Sequence, residues 1–413
     1  MVCVLTENRK NMPKKPSVLI LSQYFPPDIS GAGTRAYNYS KSLEKKYEVT
    51  VITAHPHLHE NVPKKLKWKL IHKENENGIK IIRVWIPSIL HSSSLNRIRL
   101  HFSYIITSLI PMWSLKPSII FVFQPNLFSI IPAYIYSKLR GGKVIRAVDD
   151  LWPEVLYERG YVKSKILKIF LDRLAQFSYD YPKYNIPVVD EIGKFLEKTY
   201  KIDSNKIEII EHGIDTKIFK YKEKKQNNKF VLMYSGSLVE SYDFKLILDA
   251  AKQLQNKNIV FIIRGNGPLY IHLQNQKEKY NLENLIIDNK IVPLTEISDI
   301  LSSADAFVVP MKNEIGINSN LPTKILEYQS IGRPILCCSN GVPGNFVERT
   351  KTGIKIECGN VNAFVDAILY LKSQPELCKE YGKNGSKLIE EKISLEKISH
   401  RLEQIIQKTI NEK

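Results

Sequence analysis

Short unbroken apolar runs recur along this chain, and each gives way to a loop rich in Gly, Pro or Asp before the next element starts. Residues 17–22 (Ser-Val-Leu-Ile-Leu-Ser), 48–53, 79–84, 119–123 and 143–148 form one series, and 230–235, 259–264, 286–291 and 306–309 form a second. A run that is apolar throughout reads as a strand covered on both faces, since a half-exposed strand would alternate with polar residues. Helical patterns fall between the runs, at about 34–46, 95–110 and 244–254. Strands separated by helices pair in parallel, because the tight turn of a hairpin joins only antiparallel neighbours. The pattern therefore predicts an α/β protein with two doubly wound, Rossmann-like domains. Such sheets take ligands beyond the carboxyl ends of their strands, so the loops 23–34, 149–154, 236–242, 265–268 and 311–324 are expected to face a common cleft.

A chain of 413 residues exceeds one ordinary core, in agreement with two domains. The expected division is a first domain over 1–221, with 1–15 a tail, then a charged linker over 222–229 and a second domain over 230–394. A last helix, 395–413, is expected to brace the first domain through Ile398, Leu402, Ile405, Ile406 and Thr409. Met12 is an alternative start. Hydrophobic content of 43% and charged content of 25% are those of a soluble globular protein. The longest apolar candidates, 104–113 and 118–136, are broken by polar residues and prolines, and the polar start lacks a signal-peptide pattern. Five scattered cysteines show no metal-ligand spacing and read as reduced thiols of a cytoplasmic protein. The net charge of +18 suits an anionic partner: a nucleotide, an anionic lipid surface or nucleic acid. No nucleic-acid-binding module or aromatic-basic motif accompanies that charge, and no nucleic acid partner is expected.

The most informative segment is Asn320-Leu-Pro-Thr-Lys-Ile-Leu-Glu-Tyr-Gln-Ser-Ile-Gly-Arg-Pro-Ile335. It follows the strand at 306–310, and Pro322 suits the first turn of a helix, where a missing N–H costs nothing. Ile325, Leu326, Gln329 and Ser330 continue at helical spacing, Gly332 ends the helix, and 335–338 begins another strand. Lys324 lies in the first turn and Glu327 one turn further in. Free amides with a Lys suit a phosphate, and a carboxylate just beyond suits a sugar diol. A solvated i,i+3 ion pair is the plainer account of Lys324 and Glu327, but it leaves the preceding Leu-Pro and strand unexplained.

Other motifs repeat the same logic. Gly31-Ala-Gly-Thr34 lies between the first strand and its helix, where glycine admits a close ligand. Gly236-Ser237 and Arg264-Gly-Asn-Gly-Pro268 follow strands of the second series. Arg264 can clamp a phosphate or form a surface ion pair. Asp149-Asp150-Leu-Trp-Pro-Glu154 ends a strand, and its two carboxylates can position a sugar hydroxyl or cap the next segment. With no Asp-x-Asp pattern and no accompanying acidic or His cluster, no metal is expected. His212, in Glu211-His-Gly-Ile-Asp215, reads as structural. The segment 96–106, with Arg97 and Arg99 ahead of apolar residues, has the pattern of an interfacial helix or of an ordinary packed one.

At these residues the chain resembles a family 4 retaining glycosyltransferase of the GT-B type. The resemblance extends from Leu19-Ser-Gln-Tyr-Phe-Pro-Pro27 to Gly359-Asn360. It is most specific in Ala304-Asp-Ala-Phe-Val-Val-Pro310, Pro322-Thr-Lys-Ile-Leu-Glu-Tyr328 and Gly332-Arg-Pro334. The branch it resembles builds surface polysaccharides and lipid-linked oligosaccharides and includes amino-sugar transferases. The resemblance implies a nucleotide-sugar on the second domain and an acceptor on the first. Glu327 would bind the ribose hydroxyls. Lys324, with the amides around Leu321-Pro322-Thr323 and the Gly236-Ser237 loop, would meet the diphosphate, helped by Arg264 and Lys245. Gly33 and Thr34 would close over the donor, and Asp150 would lie near the transferred sugar. The catalytic set is thus Asp150, Lys324 and Glu327, without a cofactor. The chain departs from the family pattern at Ser319, where a first Glu is expected, at Ser237 in place of Arg, and at Tyr242 or Asp243 in place of Lys.

The implied reaction is transfer from a UDP- or GDP-sugar to a hydroxyl of a lipid-linked or polysaccharide acceptor, with retention of configuration. The implied location is cytoplasmic, with peripheral contact on the inner face of the cell membrane. A nucleotide-sugar epimerase on the same fold is the competing enzyme class, and a basic nucleic-acid-binding protein is the competing binding class.

Overall fold

A computed structural model describes residues 15–28, 31–56, 69–76, 78–87, 94–123, 127–158, 160–222, 228–290, 292–314 and 318–412, with the side chains of 94–98, 294 and 295 left out. The tail at 1–14 with its Met12 start, most of the charged linker (223–227) and part of the 311–324 loop (315–317) lie outside the described residues.

The chain packs as two units. One comprises residues 1–147, 180–184 and 402–413, and the other residues 148–179 and 185–401. The first sheet contains β1 (Ser17–Leu21), β2 (Glu48–Ala54), β3 (Ile71–Glu76), β4 (Ile79–Val84), β5 (Ile119–Val122), β6 (Lys143–Val148) and β7 (Tyr184–Pro187). Its order is β3-β4-β2-β1-β5-β6-β7. The second sheet contains β8 (Phe230–Ser235), β9 (Ile259–Arg264), β10 (Leu285–Asp288), β11 (Ala306–Pro310), β12 (Ile335–Cys338) and β13 (Gly353–Ile356), in the order β10-β9-β8-β11-β12-β13. Both orders reverse beside the first strand of their series, the point where open α/β sheets hold ligands.

The continuous apolar runs are buried as expected: Val18 to Leu21 and Ile119 to Val122 are all at most 1% exposed. In the second sheet, Phe230, Leu232 and Tyr234 share a core with Phe244 and Ile247 of the helix Phe244–Gln253 and with Phe364 and Ile368 of the helix Val361–Ser373. The two-residue period of β8 puts those three side chains on one face.

Three expectations need correction. The first sheet is not wholly parallel: β3 pairs antiparallel with β4, Ile71 opposite Val84 and Glu76 opposite Ile79. Its polar sequence, Ile-His-Lys-Glu-Asn-Glu, hides it, because an edge strand need not be apolar on both faces. The first-unit helix begins at Gly31, not near Thr34, so Gly31 and Gly33 are helical residues rather than a flexible loop. Finally, β10 spans Leu285–Asp288, starting one residue before the expected run and stopping well short of its end.

The last helix, Leu395–Asn411, buries Ile398, Leu402, Ile405, Ile406 and Thr409, the face read from the sequence. Within the first unit, Lys143 Nζ donates to the Thr409 carbonyl at 2.9 Å, and the Tyr184 hydroxyl donates to the Glu412 carboxylate.

Candidate active site

The centre of the second unit's site is the turn from β11 into the helix Thr323–Ile331. Pro322 stands one residue earlier than expected, as the N-cap, with φ −61° and ψ 132°. Its fixed φ serves the extended approach, and its carbonyl accepts from the Ile325 amide at 3.0 Å. The first helical amides then lack intrahelical acceptors. Gly332 closes the helix in the left-handed region at φ 75°, as the sequence indicated.

Lys324 is buried in this first turn. A cation there opposes the helix dipole, and burial adds a desolvation cost, so the position is unfavourable without an anion. Aromatic side chains surround its ammonium. Nζ donates to the Tyr234 hydroxyl at 2.7 Å and lies 4.0 Å from the Tyr234 ring centre and 3.8 Å from that of Tyr242. The Tyr234 hydroxyl in turn donates to the Ser237 carbonyl at 2.6 Å. Burial lowers the Lys324 pKa to about 7, against the opposing attraction of Glu327. Burial likewise raises Glu327, which keeps partial exposure, to about 7, against the attraction of Lys324.

Glycine shapes the floor beneath Lys324. Gly236 has φ +150°, and a Cβ on it would stand 2.6 Å from Lys324 Nζ. Gly265, at φ +147°, would place a Cβ 1.7 Å from the Gly236 carbonyl oxygen. The ends of β8 and β9 thus approach as bare backbone, joined by Gly236 N–H to Arg264 O at 2.9 Å and Leu238 N–H to Asn266 O at 2.9 Å. Ser237 belongs to the same turn. The loop after β8 is also tied to the loop after β11, through Asp243 N–H to Pro310 O at 2.7 Å and Lys312 N–H to Ser241 O at 3.2 Å.

Arg264 lies at the end of β9 with its guanidinium already engaged. It donates to the Asp288 carboxylate and to the Lys290 carbonyl, the latter at 2.7 Å. Lys245 is exposed and paired with Asp249 at 2.5 Å on its own helix. Lys324 is therefore the cation that meets the Gly236 turn.

Asp150 comes to the same neighbourhood within the second unit. Its Oδ1 accepts from Asn320 Nδ2 at 2.7 Å, two residues before the Pro322 N-cap. Asp149 is buried, whereas Asp150 keeps partial exposure. Trp152 packs beside Tyr179, whose hydroxyl donates to its carbonyl at 2.8 Å. Asn318 organises the loop ahead of Ser319, accepting from Ser339 Oγ at 2.6 Å and donating to the Lys312 carbonyl at 2.7 Å. His212 is buried, and two residues on Ile214 N–H donates to Ile393 O at 2.9 Å. Gly33 and Thr34 belong to the first unit, in the first turn of the helix Gly31–Leu43.

The structure thus brings together Gly236, Ser237, Leu321, Pro322, Thr323, Lys324 and Glu327, with Asp150 joined through Asn320. Tyr234 and Asn320 were missed as site residues, and Tyr242 was noted only as a departure. The two-residue period marks Tyr234 as a core side chain, which it also is, and nothing in the spacing shows that its hydroxyl reaches Lys324. Among the described residues, no group of three or more His, Cys, Asp or Glu stands close enough to hold a metal ion.

Two mainly parallel sheets with strand-end glycine turns and a Lys at a helix N-terminus define an α/β fold of the GT-B type. Solved structures share it: sucrose-phosphate synthase from Thermosynechococcus elongatus superimposes with a TM-score of 0.76 at 14% identity, covering 95% of this chain and 99% of that one. Alr3699/HepE of Anabaena, in complex with UDP-glucose, gives 0.69 at 12% identity over 95% and 99%. The family description "Glycosyl transferases group 1" matches residues 215–388, and "Glycosyltransferase Family 4" matches residues 29–218. The chain belongs to these glycosyltransferases. A curated relative, the UDP-Gal:alpha-D-GlcNAc-diphosphoundecaprenol alpha-1,3-galactosyltransferase of Escherichia coli, is 28% identical over 227 residues, covering 50% of this chain and 56% of that protein.

Proposed function

We propose that this chain moves a hexose or amino sugar from a UDP- or GDP-sugar to a hydroxyl of a lipid-linked or polysaccharide acceptor, with retention of configuration. The observation that carries the reading is the buried Lys324 in the first turn of the Thr323–Ile331 helix, with Glu327 one turn on. The diphosphate supplies the anion that the buried ammonium lacks, and it also meets the first amides of that helix. Glu327 accepts from the ribose hydroxyls. Asp150 and Asn320 lie near the transferred sugar. The relative that acts on a diphosphoundecaprenol-linked sugar and the neighbour solved with UDP-glucose support this choice of acceptor and donor.

In the proposed reaction the bond from the anomeric carbon to the diphosphate oxygen breaks as the acceptor oxygen bonds to the same face. The acceptor proton passes to the departing phosphate. Lys324 and the helix amides stabilise the charge that develops there, and no metal or protein nucleophile is assigned.

Peripheral contact with an anionic membrane surface fits a lipid-linked acceptor. The helix Ser94–Met112 exposes Phe102, Ile106 and Ile110 along one stripe beyond the exposed Arg99, and Trp113 is exposed just after its end. Among the described residues, no helix is long and apolar enough to cross a membrane.

The test is a panel of UDP- and GDP-sugars read by thermal stabilisation, followed by assay of nucleoside diphosphate release with and without acceptor. Release that depends on acceptor supports transfer, whereas interconversion of the free donor's sugar supports an epimerase and sinks the proposal. Proton NMR of the product anomer reports retention or inversion.

A further inference from the structure

The helix Lys165–Asp180 has two apolar faces. Leu171, Ala175, Ser178 and Tyr179 form its buried face. At about 100° per residue, Ile166, Ile169 and Phe170 fall on the opposite side, where a surface helix ordinarily carries polar residues. Ile166 is 81% exposed, Ile169 54% and Phe170 53%, with Leu167 at 43% beside them. Tyr161, in the segment leading into the helix, is 60% exposed. Single exposed apolar residues are commonplace, but five within ten positions concentrate apolar surface on one segment, and such concentrations mark contact surfaces.

Cations interleave with this patch. Lys163 and Lys165 are exposed at its start, and Arg173 is exposed on the same side one turn beyond Phe170. Lys168 lies on the other side of the helix, in line with Ala175 and Tyr179, paired with Asp172 at 2.9 Å and 4.2 Å from the Tyr157 ring centre. The rim is therefore cationic around an apolar centre. A second copy of the same face would set lysines against lysines in a chain of net charge +18. Anionic headgroups complement the rim while the acyl boundary accepts Ile166, Ile169 and Phe170.

We propose that residues 161–173 form a membrane-docking surface that lays the outward face of the Lys165–Asp180 helix into an anionic lipid bilayer. This rests on the peripheral-membrane reading above but assigns contact to the second unit, apart from the Ser94–Met112 stripe. It places apolar anchoring at Ile166, Ile169 and Phe170 and electrostatic attraction at Lys163, Lys165 and Arg173.

The experiment uses the full chain and sucrose-loaded vesicles of phosphatidylcholine, with or without phosphatidylglycerol, pelleted at low and high salt. The wild type is expected to pellet with the anionic vesicles and to retain part of that binding at high salt, where charge alone is screened. The I166S/I169S/F170S variant should lose at least ~10-fold in partition at either salt. The K163E/K165E variant should lose binding mainly at low salt. Both should keep wild-type circular dichroism and donor-induced thermal stabilisation. Wild-type partition in I166S/I169S/F170S overturns the proposal, as does loss confined to an F102S/I106S/I110S variant of the other helix. A wild-type dimer in solution that the triple variant converts to monomer also overturns it, in favour of a second copy. Pelleting needs no donor, so a failure to bind any nucleotide-sugar would refute the enzymatic reading and leave this result readable.

Discussion

Lys324 Nζ stands 2.7 Å from the Tyr234 hydroxyl, although the two residues lie 90 positions apart. One lies in the first turn of the helix after β11 and the other next to the end of β8, so the contact exists only because β8 and β11 are neighbours in the sheet. It holds a cation at the strand ends with two tyrosine rings against it. A cation over an aromatic face in a desolvated setting gains roughly 2 kcal/mol, which offsets part of the cost of burying it.

Replacing Lys324 by Met or Glu327 by Gln keeps size while removing charge. Each variant is expected to lower transfer by at least ~100-fold, the scale of a lost transition-state charge contact, with wild-type circular dichroism. The Lys324 change should act on the chemical step and the Glu327 change mainly on donor affinity. Steady-state kinetics on the two variants check this, and full activity in both would remove the site assignment.

The two strand-end glycines separate activity from stability. Gly236→Ala pushes a Cβ against the flexible end of Lys324, whereas Gly265→Ala drives one into the Gly236 backbone. The first should cost about 1–2 kcal/mol, from the disfavoured φ, yet reduce transfer strongly by displacing the ammonium. The second should exceed that loss of stability, because backbone cannot move aside cheaply. Urea unfolding and transfer assays on both variants rank the effects.

The pH dependence of stability follows from the two shifted groups. Between about 4.5 and 7, native Glu327 holds a proton that the unfolded chain has lost, so this contribution falls as pH rises. Between about 7 and 10.5, unfolded Lys324 holds a proton that the native side chain has lost, so stability recovers as pH rises. The melting temperature of the donor-free wild type, measured relative to a Lys324→Met/Glu327→Gln double variant, should pass through a minimum near pH 7. UDP binding at pH 8 should take up a proton as the diphosphate restores the ammonium, detectable by calorimetry in buffers of different ionisation enthalpy.

Asp150 is expected to serve the sugar rather than the nucleotide. Asp150→Asn should lower kcat by about 100-fold while leaving UDP affinity within ~3-fold. Asn320→Ala, which removes one hydrogen bond to that carboxylate, should have a smaller effect, roughly 10-fold. Parallel measurement of kcat and of UDP Kd separates the two roles.

Arg264 presents the opposite case. With Asp288 and the Lys290 carbonyl on its guanidinium, Arg264→Met should lower the melting temperature and leave donor affinity within ~3-fold. An unchanged melting temperature with a large loss of donor affinity would show that the side chain leaves Asp288 to clamp the phosphate.

Much of this protein is legible along the chain. Continuous apolar runs announced β1, β6, β8 and β9 at or within a residue of their observed bounds, because burial on both faces forbids polar residues. The helix Thr323–Ile331, its Pro322 approach and its Gly332 stop follow from local backbone preferences, and so does the placement of Lys324 and Glu327 one turn apart. The polar edge strand β3 was invisible, since its pairing with β4 depends on a neighbour rather than on its own pattern.

Which side chains meet was decided by tertiary structure. Strand order brings Tyr234 and Tyr242 to Lys324 and turns Arg264 toward Asp288. It also leaves Ile166, Ile169 and Phe170 facing outward, though by composition they read as core. Sequence fixes what each segment can form locally, because propensity and burial act over a few neighbouring residues. Contacts between segments depend on how the strands are ordered and how closely their ends pack, which the linear pattern does not record.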